Sequence, residues 1–367
     1  TINMDKTINA LGLMSGTSMD GIDASIIKSN GEETIEIVGN LFVKYESEFS
    51  NSLRSFCEKI NSLDDLKKNK SQYDELERLI TIKHSEISSE ICSKFNFNPE
   101  IIGFHGQTIL HKPKKKYSIQ MGNARLLSQL LKRKVIYQFR KKDIDSGGEG
   151  APLTPIYHNK LKKKLKLKNT AVFLNIGGIT NFTSTNGDNF FAKDIGPGNC
   201  LMDMYIKKTK KMEYDDEGKI AASGKVDISL INNILDHEYY KSNNHSFDIK
   251  DFDINFVKGQ STENALANLN YFTAKLISEN IKKEISSSSS IILCGGGRKN
   301  KTLISNLKQF LKNNFFKIDH FGIDGDFIES QAFAYLAVRS LYGKFISYPS
   351  TTKVKKAISG GELIEIT

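Results

Sequence analysis

The sequence predicts a duplicated α/β protein, and three observations carry that prediction. An apolar run breaks at a tight polar turn and resumes, in Leu11–Asp23 and the Ala24-Ser25-Ile26-Ile27 that follows. About half a chain later a similar strand–glycine turn–strand start appears, from Ala171-Val172-Phe173-Leu174-Asn175-Ile176 through Gly177-Gly178 to Phe182–Thr185. Between and after these starts, helix-spaced apolar positions alternate with short buried-strand runs, the pattern of layered α/β units. At 367 residues the chain is long enough for two domains with substantial cores.

The elements follow in order. After the first hairpin, Thr34 to Tyr45 reads as a third strand. Leu76, Leu79, Ile80, Ile87 and Ile91 recur at helical intervals within a helical stretch from about Asn51 to Phe95. Ile101-Ile102-Gly103-Phe104 is a short buried strand expected to end in a polar loop, His105-Gly106-Gln107-Thr108. A helix near Gly122 to Lys132 leads to the strand Val135–Phe139. In the second half, Phe190-Phe191-Ala192 extends the repeated arrangement, Ser286–Ser290 is a polar link into the strand Ile291–Cys294, and Gln331–Tyr342 is a closing helix.

Composition narrows the class. Hydrophobic content of 39% and charged content of 26% are those of an ordinary soluble chain. The formal charge of +10 is concentrated in lysine clusters, of which Lys160 to Lys168 is the densest. Such a run suits a solvated helix or loop, and no nucleic-acid motif accompanies it. Cys57, Cys92, Cys200 and Cys294 lack metal-ligand and redox spacings, so they are expected to be buried reduced thiols. No apolar segment is long enough to span a bilayer and the N-terminus has no secretory pattern, which points to a cytoplasmic protein without membrane or nucleic-acid partners.

Several strands end in short glycine loops: Gly16 and Gly21, Gly177-Gly178, Gly196-Pro197-Gly198, and Gly295-Gly296-Gly297. Neither a Walker A pattern nor a complete G-x-G-x-x-G after a strand is present, which argues against P-loop and Rossmann enzymes. Backbone N–H groups in the first turn suit a phosphate and its carboxylates suit Mg²⁺; alternatively the segment is a plain polar hairpin turn.

These blocks occur in a specific order: Gly12–Asp23; His105-Gly106-Gln107-Thr108; Phe139-Arg140 with Asp143; Gly147–Leu153; Asn175–Ile179; Asp194-Ile195-Gly196-Pro197-Gly198-Asn199; Ala221–Gly224; Cys294–Gly297; and Glu329–Ala334. In that order, nearly end to end, the chain closely resembles the anhydro-N-acetylmuramic acid kinases of the actin/Hsp70/hexokinase-like superfamily. The resemblance implies two duplicated ribonuclease H-like domains flanking a deep ATP/sugar cleft, expected here as 1–138 plus 343–367 and 139–342. It further implies that ATP and water convert 1,6-anhydro-N-acetylmuramic acid into N-acetylmuramic acid 6-phosphate and ADP, in recycling of the cell wall. A homodimer is consistent with the resemblance.

Such chemistry needs a base for water, charge stabilisation for the phosphoryl group, and exclusion of bulk water. Asp194 is the expected base. Gly16, Thr17, Ser18, Met19, Asp20, Gly21, Ile22 and Asp23 are expected to wrap the triphosphate, with Ser15 as a further donor and Asp20 toward Mg²⁺; Asp23 suits a turn role equally. Gly177 and Gly178 are expected at the phosphates, and Gly295, Gly296 and Gly297 near the adenosine. Arg140 and Glu329 are expected to contact the sugar, followed by His105, Gln107 and Asp143, with a structural role open for His105 and His158. One segment departs from the family: Tyr239–Ser246 keeps Lys241-Ser242 but lacks the usual prolines and Gly-Arg-Glu. Competing readings are a kinase for another amino sugar and a non-enzymatic actin-like ATP switch.

Overall fold

The computed structural model describes residues 6–167, 170–236 and 253–366. It divides into two compact units, Thr1–Lys164 with Phe327–Thr367, and Leu165–Asp326. The Tyr239–Ser246 segment and Lys168 lie outside the described residues.

Unit 1 is built on a sheet of β1 (Ile8–Ser15), β2 (Gly21–Ser29), β3 (Ile35–Lys44), β4 (Ile101–Lys112), β5 (Tyr117–Met121), β6 (Lys134–Tyr137) and, after the second unit, β12 (Glu362–Ile364). Its order is β12-β6-β4-β1-β2-β3, with β5 paired to β4. The first three strands are antiparallel, while β1, β4 and β6 run parallel. Burial on both faces explains why β4 begins as an unbroken apolar run.

Unit 2 repeats the plan with β7 (Ala171–Ile176), β8 (Ile179–Asn186), β9 (Asn189–Pro197), β10 (Ser290–Cys294) and β11 (Asn314–Lys317), ordered β11-β10-β7-β8-β9. Here too three antiparallel strands are followed by two parallel ones. The shared order establishes the duplication that the two glycine turns suggested. Each unit has its own apolar core, around Leu11, Ile26, Phe56 and Phe104 in the first and Leu174, Phe182, Leu266 and Phe272 in the second. The helix Thr262–Lys282, capped by Ser261 Oγ accepting from the Asn264 N–H, supplies much of the second core.

The division differs from the expected boundaries: residues 139–164 and 327–342 pack with unit 1. The reason is the seat of the helix Ile328–Leu341. Gly12 of β1 and Gly103 of β4 are opposite each other in register. A β-carbon on Gly12 would strike the backbone oxygen of Ser330, and one on Gly103 that of Phe333. Both glycines are therefore there for close approach of helix to sheet. A buried polar cluster fastens the seam: Ser25 Oγ lies 2.6 Å from Ser330 Oγ and donates to Asn40 Oδ1 at 2.7 Å. Gln331 donates to the same Asn40 oxygen at 3.2 Å and accepts from Tyr157 at 2.9 Å. Gly12→Ala is expected to cost roughly 1–3 kcal/mol of stability, read as a lower denaturation midpoint for unit 1; an unchanged midpoint would contradict this seat.

A second difference concerns His105–Thr108. These residues continue β4 instead of forming a loop. Gly106, at φ +72°, absorbs the irregularity where the β1–β4 register shifts, so the strand persists past it. The basic run lies partly on the helix Pro155–Lys164. There Lys160 pairs with Glu32 and Glu33 at 3.0 and 2.8 Å, Lys163 with Glu33 at 3.2 Å, and Lys162 is buried. Cys200 and Cys294 are buried as expected, but Cys57 and Cys92 are only half-buried.

Candidate active site

In unit 1 the candidate residues gather after β1 and β6 and where the parallel pairing of β4 with β1 ends at Gln107, the side on which ligands bind in open parallel sheets. The hairpin between β1 and β2 closes on a turn with the Met19 N–H donating to Gly16 O at 3.1 Å and Met19 at φ +52°. Ser50 and Arg54 of the helix Ser47–Lys59 donate to the carbonyls of Met19 and Ser18 at 2.6 and 3.0 Å, which fixes the tip. Thr17, Ser18 and Asp20 are exposed there, and Ser18 Oγ donates to Asp20 Oδ1 at 2.5 Å.

Not all of the expected hairpin set is at the surface. Ile22 is a core residue, 1% exposed, so only its backbone is available to a ligand. Met19 packs partly against the same core, Gly21 is crowded by Phe42 and Val43, and Asp23 is half-buried on β2. Ser15 is buried as well. It donates to Gln107 Oε1 at 2.7 Å and lies 3.0 Å from the Tyr45 hydroxyl, so Ser15 and Gln107 tie the hairpin to β4. Burial, with the negative charges of Asp20 and Asp23 nearby, pushes the Tyr45 phenol up and keeps it neutral.

Arg140 follows β6 and is half-buried. Its Nη1 donates to Gly150 O at 2.8 Å, while Nη2 and Nε reach His105 Nε2 at 3.0 and 3.3 Å. Burial lowers its pKa to about 10, opposed by the charges of Glu329 and Asp143, so it stays cationic at neutral pH. Glu329, in the first turn of the helix Ile328–Leu341, is exposed; surrounding protein raises its pKa and Arg140 lowers it, and solvent access limits the rise. Asp143 is 1% exposed, and both of its oxygens are engaged within the protein. Oδ1 accepts from the Gly150 N–H at 2.6 Å and Oδ2 accepts from the Thr352 hydroxyl. Thr352 had no local signal in the sequence, because its partner lies 209 positions away.

In unit 2 the glycine loops follow β7 and β10. Gly177 O and Gly178 O accept from the backbone N–H groups of Asn199 and Gly198, at 2.8 and 2.7 Å. Thr180 Oγ1 donates to Pro197 O at 2.9 Å. The turn after Asp194 is thereby locked to the turn after β7. Asp194 itself is half-buried in β9 opposite Asn181, and Asn280 anchors the next residue by donating to Ile195 O at 2.7 Å. Gly295, at φ +75°, and Gly297 pack on Ile176. Arg298 fixes this loop. It is 3% exposed and donates to Asp319 at 2.7 and 2.9 Å and to Asp326 at 2.6 Å, which lowers the Asp319 pKa to about 2.

The glycines of these loops fall into two kinds. Most glycines with described surroundings have a positive φ or would crowd a neighbour if given a β-carbon. Gly16, Gly177 and Gly296 do neither: a β-carbon there finds its nearest neighbour at 4.0, 3.5 and 3.9 Å. All three lie in the loops expected to meet the nucleotide. Neither a left-handed φ nor packing demands glycine at these positions.

A family model for anhydro-N-acetylmuramic acid kinase matches residues 8–365. The chain belongs to the anhydro-N-acetylmuramic acid kinase family. It is similar to the anhydro-N-acetylmuramic acid kinase of Pelagibacter ubique, 47% identical over 99% of this chain and 100% of that protein. It is also similar to the anhydro-N-acetylmuramic acid kinase of Rhizobium etli, at 36% identity over 98% of this chain and 99% of that one. As an anhydro-N-acetylmuramic acid kinase family member the chain is an ATP-using phosphotransferase, built on two sheets that repeat one strand order. Among the described residues no helix is long and apolar enough to cross a membrane.

Proposed function

We propose that the chain opens 1,6-anhydro-N-acetylmuramic acid with water and phosphorylates its O6 from ATP, giving N-acetylmuramic acid 6-phosphate and ADP, in cytoplasmic cell-wall recycling and as a homodimer. In this reading Asp194 takes a proton from water as the water oxygen bonds to C1. The C1–O6 bond breaks, O6 bonds to the γ-phosphorus, and ADP leaves. Arg140 and Glu329 contact the sugar, with the guanidinium on a carboxylate or ring oxygen. His105 and, through Gly150, Asp143 hold Arg140 in place, while Gln107 ties the β1–β2 hairpin to β4 through Ser15.

The observation that carries the nucleotide assignment is the trio of uncrowded glycines, Gly16, Gly177 and Gly296. Mg²⁺ belongs to the same proposal. Among the described residues no group of three or more His, Cys, Asp or Glu side chains could hold a metal. A Mg²⁺ that takes one carboxylate together with ATP phosphates fits a lone exposed Asp20 at the hairpin tip. When bound, such an ion would offset charge on the transferring phosphoryl group.

The test is a coupled ADP-release assay with Mg·ATP and 1,6-anhydro-N-acetylmuramic acid, with the product weighed by mass spectrometry. A gain of one phosphoryl group plus one water is expected. ADP release with an intact anhydro ring, or no turnover, would favour another amino sugar or an ATP switch. Gly16→Ala, Gly177→Ala and Gly296→Ala are each expected to raise KM for ATP on the order of tenfold, about 1.4 kcal/mol, with unchanged melting. Lowered melting with normal ATP kinetics would return those glycines to a structural role.

A further inference from the structure

We propose that His105 is a positioning residue, a neutral imidazole protonated on Nδ1 whose Nε2 lone pair holds the Arg140 guanidinium in its sugar-receiving orientation. The proposal rests on the reading of Arg140 as a sugar contact and assigns the geometry that makes it one.

The tautomer is fixed from both ends of the ring. His105 Nδ1 lies 2.8 Å from Gly106 O. A carbonyl oxygen only accepts, so Nδ1 carries the proton. On the other side, Nε2 lies 3.0 Å from Arg140 Nη2 and 3.3 Å from Nε. A guanidinium only donates, so Nε2 presents its lone pair. An imidazolium would set an N–H against these donors and place two positive charges in contact. Burial and the Arg140 charge accordingly lower the His105 pKa to about 3. His84 adds a smaller effect in the same direction.

The ring is itself held. It is 5% exposed and packs against Phe333, with ring centroids 4.6 Å apart, on the same helix that carries Glu329. Opposite His105, the third fixed point is Gly150 O, which takes Nη1 at 2.8 Å. Asp143 sets that carbonyl by accepting from the Gly150 N–H, and Thr352 holds Asp143 in turn. Three of the five guanidinium N–H groups are committed in these bonds, leaving one on each terminal nitrogen. A pair so placed suits a two-oxygen acceptor such as a carboxylate.

The direct test is ¹⁵N NMR of the full chain labelled at histidine, at pH 7. The expected His105 signature is a protonated Nδ1 and an unprotonated Nε2; a proton on Nε2, or on both nitrogens, overturns the proposal. Kinetics supply a second readout. His105→Leu is expected to raise KM for the sugar about tenfold with kcat and KM for ATP within a few-fold, and His105→Gln, which restores an acceptor oxygen, to recover most of the loss. A parallel fall in melting temperature and all kinetic constants, unrescued by glutamine, would make His105 merely structural. Arg140→Ala separates the two levels. A raised sugar KM in that variant with a normal one in His105→Leu defeats only the positioning role. Normal values in both defeat the sugar reading of Arg140 itself.

Discussion

Asp194→Asn is expected to lose turnover by several orders of magnitude while retaining ATP and sugar binding. Asparagine matches aspartate in shape, so the β8–β9 pairing at Asn181 and the Asn280 bond to Ile195 O both survive the change. What disappears is the ability to take a proton. General base catalysis accounts for about 10²–10⁴-fold in typical cases, and here the water must become nucleophilic as C1 loses its ether oxygen. Steady-state kinetics with calorimetric titration of both ligands would check this. Turnover within a few-fold of the unmodified chain would remove Asp194 from the mechanism.

The second large effect is expected at Arg140. Arg140→Ala deletes the only cation bonded to both His105 and Gly150 O among the described residues, and leaves those two acceptors without it. Losing one partner of a desolvated charged contact costs about 2–5 kcal/mol, so kcat/KM for the sugar is expected to fall by roughly 30-fold to several thousand-fold. KM for ATP is expected to hold, because the Arg140 hydrogen bonds go to His105 and Gly150 and to none of the three uncrowded glycines. Arg140→Lys is not expected to rescue, since an ammonium cannot span His105 and Gly150 O at once. Full activity in the alanine variant would refute the sugar assignment.

The parts of this molecule legible in its sequence are those set by local pattern. Leu11–Ile27 and Ala171–Thr185 announce their hairpins because apolar alternation and glycine turns act over a few residues. The motif order was enough to place the chain in its family. Long-range packing was not legible. Nothing near Gln331 says that its helix returns to unit 1, because that depends on Gly12 and Gly103, more than two hundred positions earlier. His105–Thr108 looked like a loop because a glycine between polar residues usually ends a strand, whereas here Gly106 adopts φ +72° and the strand continues. Asp143 looked like a ligand-facing acid until Thr352 and Gly150 were seen to occupy its carboxylate. Likewise, Gly16 and Gly21 are the same letter in one motif, and only their surroundings separate the uncrowded one from the packed one.

The seat of the helix Ile328–Leu341 on Gly12 and Gly103 has a consequence for redesign. The strand that ends in the β1–β2 hairpin and the helix that carries Glu329 in its first turn touch backbone to backbone, with no side chain between them to cushion a shift. Moving the helix to admit a bulkier sugar would drag the hairpin with it. An engineer seeking new acceptor specificity should therefore leave the seam alone and vary the reaching side chains, beginning with Glu329 itself.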